Sequence, residues 1–382
     1  MTLLIDHPTA TGSGLQDPKG TDRDPMRVVF AGGNGYPPEA SGGVQSSTHD
    51  LASRLLTQGH HPSVLAPLYG SGWFGLRARA RLKLNGSGVV RDLICGYPVY
   101  RAWFPERAVA ACMPRARPDV AVVQCHGTVP IARGFQKRGV PLVIYLRNVE
   151  FDQLGGDLGD LHGVTYIANS RFTAATYKAR FGIAATVIPP TVNASLYEVV
   201  PDGNCVTFVN PVPEKGLARA VEIAALCPDI PFLFVESWQL SPTALADLQR
   251  AIRPYPNIRF EHRTHDMKSI YRQSRVVLAP SKWEEAWGRV ASEAHCSGIP
   301  VVGSTRGGLP EAIGPGGTML DYDAALADWV AAVRNFWSDP AAHARAAKAA
   351  RTYSRRTELD PEEQFRTFMS VLNAAVMQPP VP

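Results

Sequence analysis

The sequence predicts an α/β protein made of two doubly wound, Rossmann-like domains. Its 382 residues, 45% of them hydrophobic and 19% charged, suffice for two globular domains that each have a core. Short apolar runs alternate with helical segments along the chain, and glycine-rich loops follow several of these runs. We expect a flexible leader over residues 1–25, a first domain over 26–195, a second domain over 196–360, and a C-terminal helix over 361–382.

Composition argues against several other classes of protein. The net charge of +5 is mild, and no basic block is interleaved with aromatic residues, so nucleic-acid binding is not expected. The six cysteines are scattered without a close CxxC pair, which is typical of a reducing compartment. No apolar run approaches the ~18 residues of a membrane span. We therefore expect a cytoplasmic protein, and leave open its oligomeric state and its association with membrane surfaces.

The first domain begins with a predicted βαβ unit. A strand is expected over residues 27–31, a helix over 44–58 and a second strand over 62–67. The connecting loop is rich in glycine and ends in Gly42-Gly43, but its spacing is not that of the GxGxxG dinucleotide motif. The glycine pair is interpreted either as an anion-binding start of the helix or as a tight turn.

Residues 68–117 show no clear periodicity and are expected to be irregular. They contain seven aromatic residues and several arginines. Two interpretations remain open: loops that shape a binding site for an acceptor molecule, or a plain hairpin with a solvated basic face.

The rest of the first domain repeats the strand–helix pattern. Strands are expected over 119–124, 140–145 and 166–170, and helices over 129–138 and 172–181. His126 follows the first of these strands, and Arg147 and Asn148 follow the second. Arginine stays charged and offers a planar fork of donors, so Arg147 suits a phosphate or carboxylate better than proton transfer.

The second domain is expected to open with a strand over residues 206–209, followed by Lys215-Gly216 and a helix from residue 217. Further strands are predicted over 231–235 and 258–261, and a helix over 267–273. A lysine at this strand end is interpreted as an anion ligand, with a surface charge as the alternative.

No metal site is expected in this domain. His262 and His265 have no third ligand nearby in the sequence. Asp321 and Asp323 form an Asp-x-Asp pair that could bind a metal, but Asp323 is better interpreted as the N-cap of the alanine-rich helix that follows.

The central stretch of the second domain is residues 280–314. A buried strand ending at Ala279 is followed by a loop, a helix over 288–296, a strand over 299–302, and a Gly-rich loop before a helix started by Pro310. Two helix N-termini are thus expected at the same ends of neighbouring parallel strands, where phosphate binds favourably.

Two carboxylates in this stretch indicate a hydroxyl-bearing ligand. Glu285 precedes the first helix and Glu293 lies within it. A carboxylate repels phosphate, so each is better placed to accept hydrogen bonds from a sugar or ribose. The alternative is that both are ordinary solvated charges, since glutamate is common on helices.

The pattern of residues in this stretch resembles the donor-binding motif of family 4 retaining glycosyltransferases, which have the GT-B fold. The residues that carry the resemblance are Ser281, Glu285, Gly288, Glu293-Ala294, Gly298-Ile299-Pro300-Val301 and Gly307-Gly308-Leu309-Pro310-Glu311. The resemblance implies two Rossmann-like domains facing a central cleft, with the C-terminal helix crossing back to the first domain.

The resemblance also implies roles for individual residues. It places Glu285 at the donor sugar, Glu293 at the nucleotide ribose and Lys215 on the diphosphate, and it implies that Arg263 frames the base. The other residues that it implies at the donor are Gly42, Gly43, Asn210, Ala286, Trp287, Gly288, Arg289, Val290, Gly308 and Leu309. His126 and Asn148 are expected on the acceptor side.

At two positions the chain departs from the family. Arg147 stands nearest to a family histidine that lies by the primary hydroxyl of the donor sugar, which puts a catalytic histidine in doubt. Asn210 replaces a family arginine that binds the diphosphate. Arg289 and Arg147 are both candidates to supply the missing cation.

The expected function is transfer of a hexose-type sugar from a nucleoside diphosphate sugar to a hydroxyl acceptor, with retention and without a metal or other cofactor. Glu285, Lys215 and Arg147 are the expected catalytic residues. Two alternatives are kept: a nucleotide-sugar 2-epimerase of the same architecture, and a catalytically idle nucleotide-sugar-binding partner.

Overall fold

The computed structural model of the protein describes residues 24–86, 88–264 and 266–378. The predicted leader lies almost wholly outside these residues, and so does His265. Within the described residues, the chain forms two separate β-sheets. Each sheet is covered by helices on both faces, as the alternating sequence pattern predicts.

The first sheet is formed by the N-terminal half of the chain. Its strands are β1 (Arg27–Ala31), β2 (His61–Pro67), β3 (Val90–Asp92), β4 (Val99–Ala102), β5 (Val120–Gln124), β6 (Leu142–Leu146), β7 (Val164–Ala168) and β8 (Thr186–Val187). Their order is β3-β4-β2-β1-β5-β6-β7-β8, and only β3 runs antiparallel to its neighbour. The helices are α1 (Gly43–Thr57), α2 (Gly72–Asn85), α3 (Pro105–Ala116), α4 (Thr128–Gln136) and α5 (Arg171–Phe181).

The second sheet is parallel throughout, in the order β11-β10-β9-β12-β13-β14. Its strands are β9 (Cys205–Val209), β10 (Phe232–Val235), β11 (Ile258–Glu261), β12 (Ser274–Ala279), β13 (Val301–Ser304) and β14 (Gly317–Leu320). The helices are α6 (Leu217–Ala225), α7 (Pro242–Ile252), α8 (Met267–Gln273), α9 (Arg289–Cys296), α10 (Leu309–Ile313), α11 (Leu326–Ser338), α12 (Pro340–Ser354) and α13 (Pro361–Val376).

Alternating burial of strand residues explains the layered core. In β1, Val29 and Ala31 pack into one apolar cluster, while Val28 and Phe30 pack into a second cluster on the other face of the sheet. All four side chains are almost fully buried. A strand covered on both faces is hydrophobic along its whole length, which is why it appears in the sequence as a continuous apolar run.

The C-terminal helix α13 packs on the first domain, as the resemblance implies. Phe365, Phe368 and Leu372 join the cluster that contains β1 and β5. The Phe368 ring stacks on Phe30 with 6.1 Å between centroids. The helix therefore connects the two halves of the chain after the second sheet is complete.

Two predictions about local structure are wrong. Residues 68–117 are not irregular, because they form α2, the β3–β4 hairpin and α3. Most turns of α2 expose their side chains, including Trp73 and Leu84, so no apolar periodicity marks the helix in the sequence. Asp323 does not cap a helix: α11 begins at Leu326 after Ala325, and the Asp323 carboxylate accepts from Arg306 instead, at 3.2 Å.

Side chains cross between the domains beside the ends of the strands. The Glu311 carboxylate of α10 accepts hydrogen bonds from the backbone amides of Arg171 and Phe172, at 2.9 and 2.7 Å. These are first-turn amides of α5, which lack partners within their own helix. A glutamate of the second domain thus caps a helix of the first, beside the long connection that joins the two sheets.

Candidate active site

A cleft of about 440 Å³ lies between the two domains. The first domain lines it with the N-terminus of α1 and with the residues that follow β6. The second domain lines it with the loop after β9 and with the loop that joins β12 to α9. The carboxyl ends of both parallel sheets therefore face one cavity, which is the usual location of ligand sites in open α/β sheets.

Lys215 and Glu285 form an ion pair in this cleft. The Lys215 Nζ lies 2.5 Å from Glu285 Oε1, and the two side chains are only 20% and 16% exposed. Nζ also lies 5.2 Å from the centre of the Trp238 ring, close enough for a cation–π contact. The lysine is thus held by two groups before any ligand arrives.

Local backbone geometry places Lys215 there. Lys215 ends a short 3-10 turn, Pro213–Lys215, and the chain then passes through Gly216 with φ of 84°. A Cβ on Gly216 would lie 1.8 Å from the carbonyl oxygen of Pro280. Only glycine allows the Lys215 turn to pack this closely against the end of β12.

Gly307 and Gly308 position the loop that carries Glu285. The Gly308 amide donates to the Glu285 carbonyl at 2.5 Å, and a Cβ on Gly307 would lie 2.2 Å from that same oxygen. Gly308 and Leu309, both expected at the donor, are not among the residues that line the cleft, and Leu309 is buried in the core. The structure therefore gives this pair a supporting position behind the Glu285 loop.

Two helix N-termini open on the cleft from opposite domains. Helix α1 begins after Gly42 and α9 begins after Gly288, and no side chain caps either helix. Gly42, Gly43, Gly288 and Val290 all line the cavity. Uncapped first-turn amides and the positive end of the helix dipole favour an anion at such positions.

Arg289 connects the two domains through protein contacts. Its Nε lies 3.2 Å from Glu293, and its Nη1 donates to the Ser47 hydroxyl and the Thr191 carbonyl at 3.0 and 2.9 Å. Its Nη2 makes a longer 3.4 Å contact with Tyr197. Arg289 was a candidate second cation for the diphosphate, but its guanidinium is already bonded to protein groups in this structure.

Glu293, expected at the ribose, is also held by protein groups. One of its carboxylate oxygens accepts from Arg289 and the other accepts from the Tyr271 hydroxyl at 2.9 Å. Because the side chain is 13% exposed and lines the cleft, its oxygens remain at the cavity wall. Burial is the largest cause of a raised pKa at Tyr271, and the charge of Glu293 raises the pKa further, so Tyr271 stays a neutral donor.

Asn210 has a backbone role that the sequence did not reveal. Its φ is 66°, in the left-handed region that asparagine tolerates better than other residues with a side chain. Its side-chain oxygen accepts from the Trp238 amide at 3.1 Å, while its buried Nδ2 has no acceptor among the described residues. Asn210 thus makes a sharp turn after β9 and leaves an amide donor beside the cleft.

Arg147 is a buried cation in the cleft wall. It follows β6 directly, is 6% exposed, and places its guanidinium 3.8 Å from the centre of the Tyr145 ring. Its Nε and Nη2 have no hydrogen-bond acceptor in the described part of the chain. The neighbouring Asn148 also lines the cleft and donates to Gln153 at 3.2 Å.

The remaining candidates lie at or beyond the margin of the site. Arg263 lines the cleft with an exposed side chain. His126 is exposed and is not among the residues that line the cavity. Trp238, Tyr271 and Ser47 were not predicted as site residues. For Trp238, its place three residues after the apolar run of β10 was an available signal.

The described residues contain no group of three or more His, Cys, Asp or Glu side chains that could hold a metal ion. Asp321 and Asp323 do not line the cleft. Among the same residues, no helix has the length and apolar character needed to cross a membrane.

Comparison with known proteins agrees with this geometry. The family described as Glycosyltransferase Family 4 matches residues 41–196, and the one described as Glycosyl transferases group 1 matches residues 206–353. A D-inositol 3-phosphate glycosyltransferase of Corynebacterium kroppenstedtii is 39% identical over 103 residues, which are 26% of this chain and 22% of that protein. The match to this relative thus spans under a quarter of its length.

Solved structures resemble the whole chain at low sequence identity. A glycosyltransferase from Rickettsia africae superposes with a TM-score of 0.72 at 14% identity, covering 93% of this chain and 100% of the other. Anabaena HepE, solved in complex with UDP-glucose, gives 0.70 at 18% identity, covering 91% and 99%. These likenesses show the two-domain GT-B fold. The two family matches, over residues 41–196 and 206–353, place the chain in glycosyltransferase family 4.

Proposed function

We propose that this chain transfers a hexose-type sugar from a nucleoside diphosphate sugar to a hydroxyl acceptor, with retention of configuration at the anomeric carbon. The observation that carries the proposal is the Lys215–Glu285 pair, 2.5 Å apart in the cleft between the two sheets. A cation for the leaving group and a carboxylate for hydroxyl groups meet there, between two uncapped helix N-termini. UDP-glucose in the similar HepE structure supports a nucleotide sugar as donor.

Charge develops on the diphosphate as the glycosidic bond breaks. Lys215 is held in place by Glu285 and Trp238, so little reorganisation is needed for its ammonium to stabilise that charge. The first-turn amides of α1 and α9 supply further positive potential. This arrangement supports a reaction in which lysine and backbone amides neutralise the leaving group without a metal.

Retention follows from the proposed front-face displacement. Glu285 is paired with Lys215, an arrangement that suits hydroxyl binding better than covalent attack. In the proposed step the bond between the anomeric carbon and the phosphate oxygen breaks, and the acceptor oxygen bonds to the same face of that carbon. The acceptor proton passes to the leaving phosphate. Glu293 would hold the ribose hydroxyls with the carboxylate that Tyr271 and Arg289 now orient.

The experiment is a nucleotide-release assay with purified chain, a panel of UDP- and GDP-sugars, and a panel of hydroxyl acceptors. The acceptor panel includes D-inositol 3-phosphate, because the curated relatives carry that name. We expect acceptor-dependent release of nucleoside diphosphate and a new glycoside in equal amount. Conversion of the donor to its 2-epimer, either still linked to the nucleotide or as free sugar, would indicate an epimerase, and absence of any turnover would favour an idle binding protein.

A further inference from the structure

Arg147 combines deep burial with unused hydrogen-bonding capacity. It is 6% exposed, lies in the wall of the interdomain cleft, and has no acceptor at Nε or Nη2 among the described residues. The carboxyl groups of Asp50 and Glu150 lie in the same region, but neither accepts a hydrogen bond from Nε or Nη2 of this guanidinium. An unpaired buried charge is costly, so a compensating ligand would be strongly favoured.

The other cations at the cleft are either paired or exposed to water. Lys215 is paired with Glu285, and Arg289 is paired with Glu293 and bonded to Ser47. Arg263 is exposed to solvent. Of these side chains, Arg147 alone is buried and still has donors to offer.

The Tyr145 ring restricts the guanidinium before binding. Arg147 Cζ lies over this ring, 3.8 Å from its centre, and the Tyr145 hydroxyl donates to the Ile188 carbonyl at 2.7 Å. Nε and Nη2 form one edge of the guanidinium. Two parallel N–H groups on one edge match the two oxygens of a carboxylate or a phosphate.

We propose that Arg147 forms an oxyanion subsite for a carboxylate or phosphate carried by the donor sugar or by the acceptor, separate from the donor diphosphate. This inference rests on the proposed glycosyl transfer and defines its substrate class. The donor diphosphate already has Lys215 and the amides of α1 and α9, whereas Arg147 follows β6, two strands away from the β1 strand that leads to α1. The enzyme therefore takes at least one anionic sugar or acceptor.

Calorimetry on the full chain tests the subsite in two arms. In the donor arm, UDP-glucuronate is compared with UDP-glucose. In the acceptor arm, glucose 6-phosphate is compared with glucose in the presence of saturating UDP. The wild type should prefer the anionic member of one pair by about tenfold to a hundredfold, as expected for a bidentate charge-assisted contact.

The test variant is Arg147→Met, which keeps an unbranched apolar side chain against Tyr145 and removes the unpaired charge. It should abolish the preference for the anionic member, because the donors are gone. The melting temperature should stay unchanged or rise, because the change removes a buried cation that has no partner. A structural arginine would instead lower the melting temperature. Arg147→Lys should recover part of the preference, and Arg138→Ala, an exposed arginine beyond α4, should behave as wild type.

Three results would overturn the subsite. They are a wild type without preference in either arm, an Arg147→Met variant that keeps the preference, and a variant that weakens UDP, UDP-glucose and UDP-glucuronate equally. The last result would assign Arg147 to the diphosphate. The affinities of the wild type for UDP and for GDP are measured first: failure to bind either nucleotide would count against the proposed function. The acceptor arm, repeated without nucleotide, would still test the subsite.

Discussion

Arg289 offers a test of how the interdomain cleft is held together. We expect Arg289→Ala to lower the free energy of unfolding. The change removes the pair with Glu293 and the hydrogen bonds to Ser47 and Thr191, which lie on the opposite side of the cleft. It also leaves the Glu293 carboxylate, 13% exposed, with Tyr271 as its remaining partner.

The magnitude follows from burial. Breaking a fully buried ion pair costs about 3–5 kcal/mol, because the remaining charge is uncompensated. Here the pair borders a cavity and Tyr271 still donates to Glu293, so we expect a loss of about 2–3 kcal/mol. The double variant Arg289→Ala/Glu293→Gln removes the stranded charge and should regain about 1 kcal/mol of that loss.

Urea unfolding followed by tryptophan fluorescence and far-UV circular dichroism measures these differences. The matched control is Arg250→Ala, an arginine on the surface of α7 whose ion pair with Asp247 is 78% and 59% exposed. It should change the free energy of unfolding by less than about 1 kcal/mol. An Arg289→Ala variant as stable as this control would refute the interpretation of Arg289 as an interdomain connection.

Four further predictions concern catalysis, binding and pH. Lys215→Ala should reduce kcat about 10²–10³-fold with a smaller effect on donor affinity, as measured by steady-state nucleotide release. Glu293→Gln should weaken nucleoside diphosphate binding by about 1.5–3 kcal/mol in calorimetry, and unchanged affinity would exclude the ribose role. EDTA should leave most activity intact, and a loss restored by magnesium or manganese would contradict the metal-independent reaction. Burial lowers the pKa of His295 to about 4, whereas the unfolded chain binds this proton near pH 6.5. The free energy of unfolding should therefore be highest above pH 6.5 and fall by about 3 kcal/mol as the pH drops toward 4. His295→Leu should flatten that part of the unfolding profile measured by urea titration at each pH.

Strand ends and glycine turns could be predicted because short-range sequence determines them. The strand β12, the helix α9 and the strand β13 follow from apolar runs separated by Gly288 and Gly298. Both glycines have positive φ, at 102° and 68°, so the breaks expected from sequence are real conformational requirements. The positions of Lys215 and Glu285 at adjacent strand ends follow from the parallel order of β9 and β12.

Contacts across the domain interface could not be predicted in this way. The cap that Glu311 forms on Arg171 and Phe172 joins residues 140 and 139 positions apart, and the Arg289–Ser47 bond joins residues 242 apart. No local propensity specifies such pairs. The sequence also does not show which arginine finds hydrogen-bond partners in the fold. Arg289 and Arg147 are both candidate cations, but of the two only Arg147 keeps unused donors.

The stereochemistry of the new linkage is the decisive test of the proposed reaction. Purified chain is incubated with an α-linked nucleoside diphosphate sugar and an acceptor identified in the release assay, and the new linkage is examined by proton NMR. We expect an α-glycoside, formed in equal amount to released nucleoside diphosphate and lost in Lys215→Ala. A β-glycoside, or transfer that persists at the wild-type rate without Lys215, would contradict it.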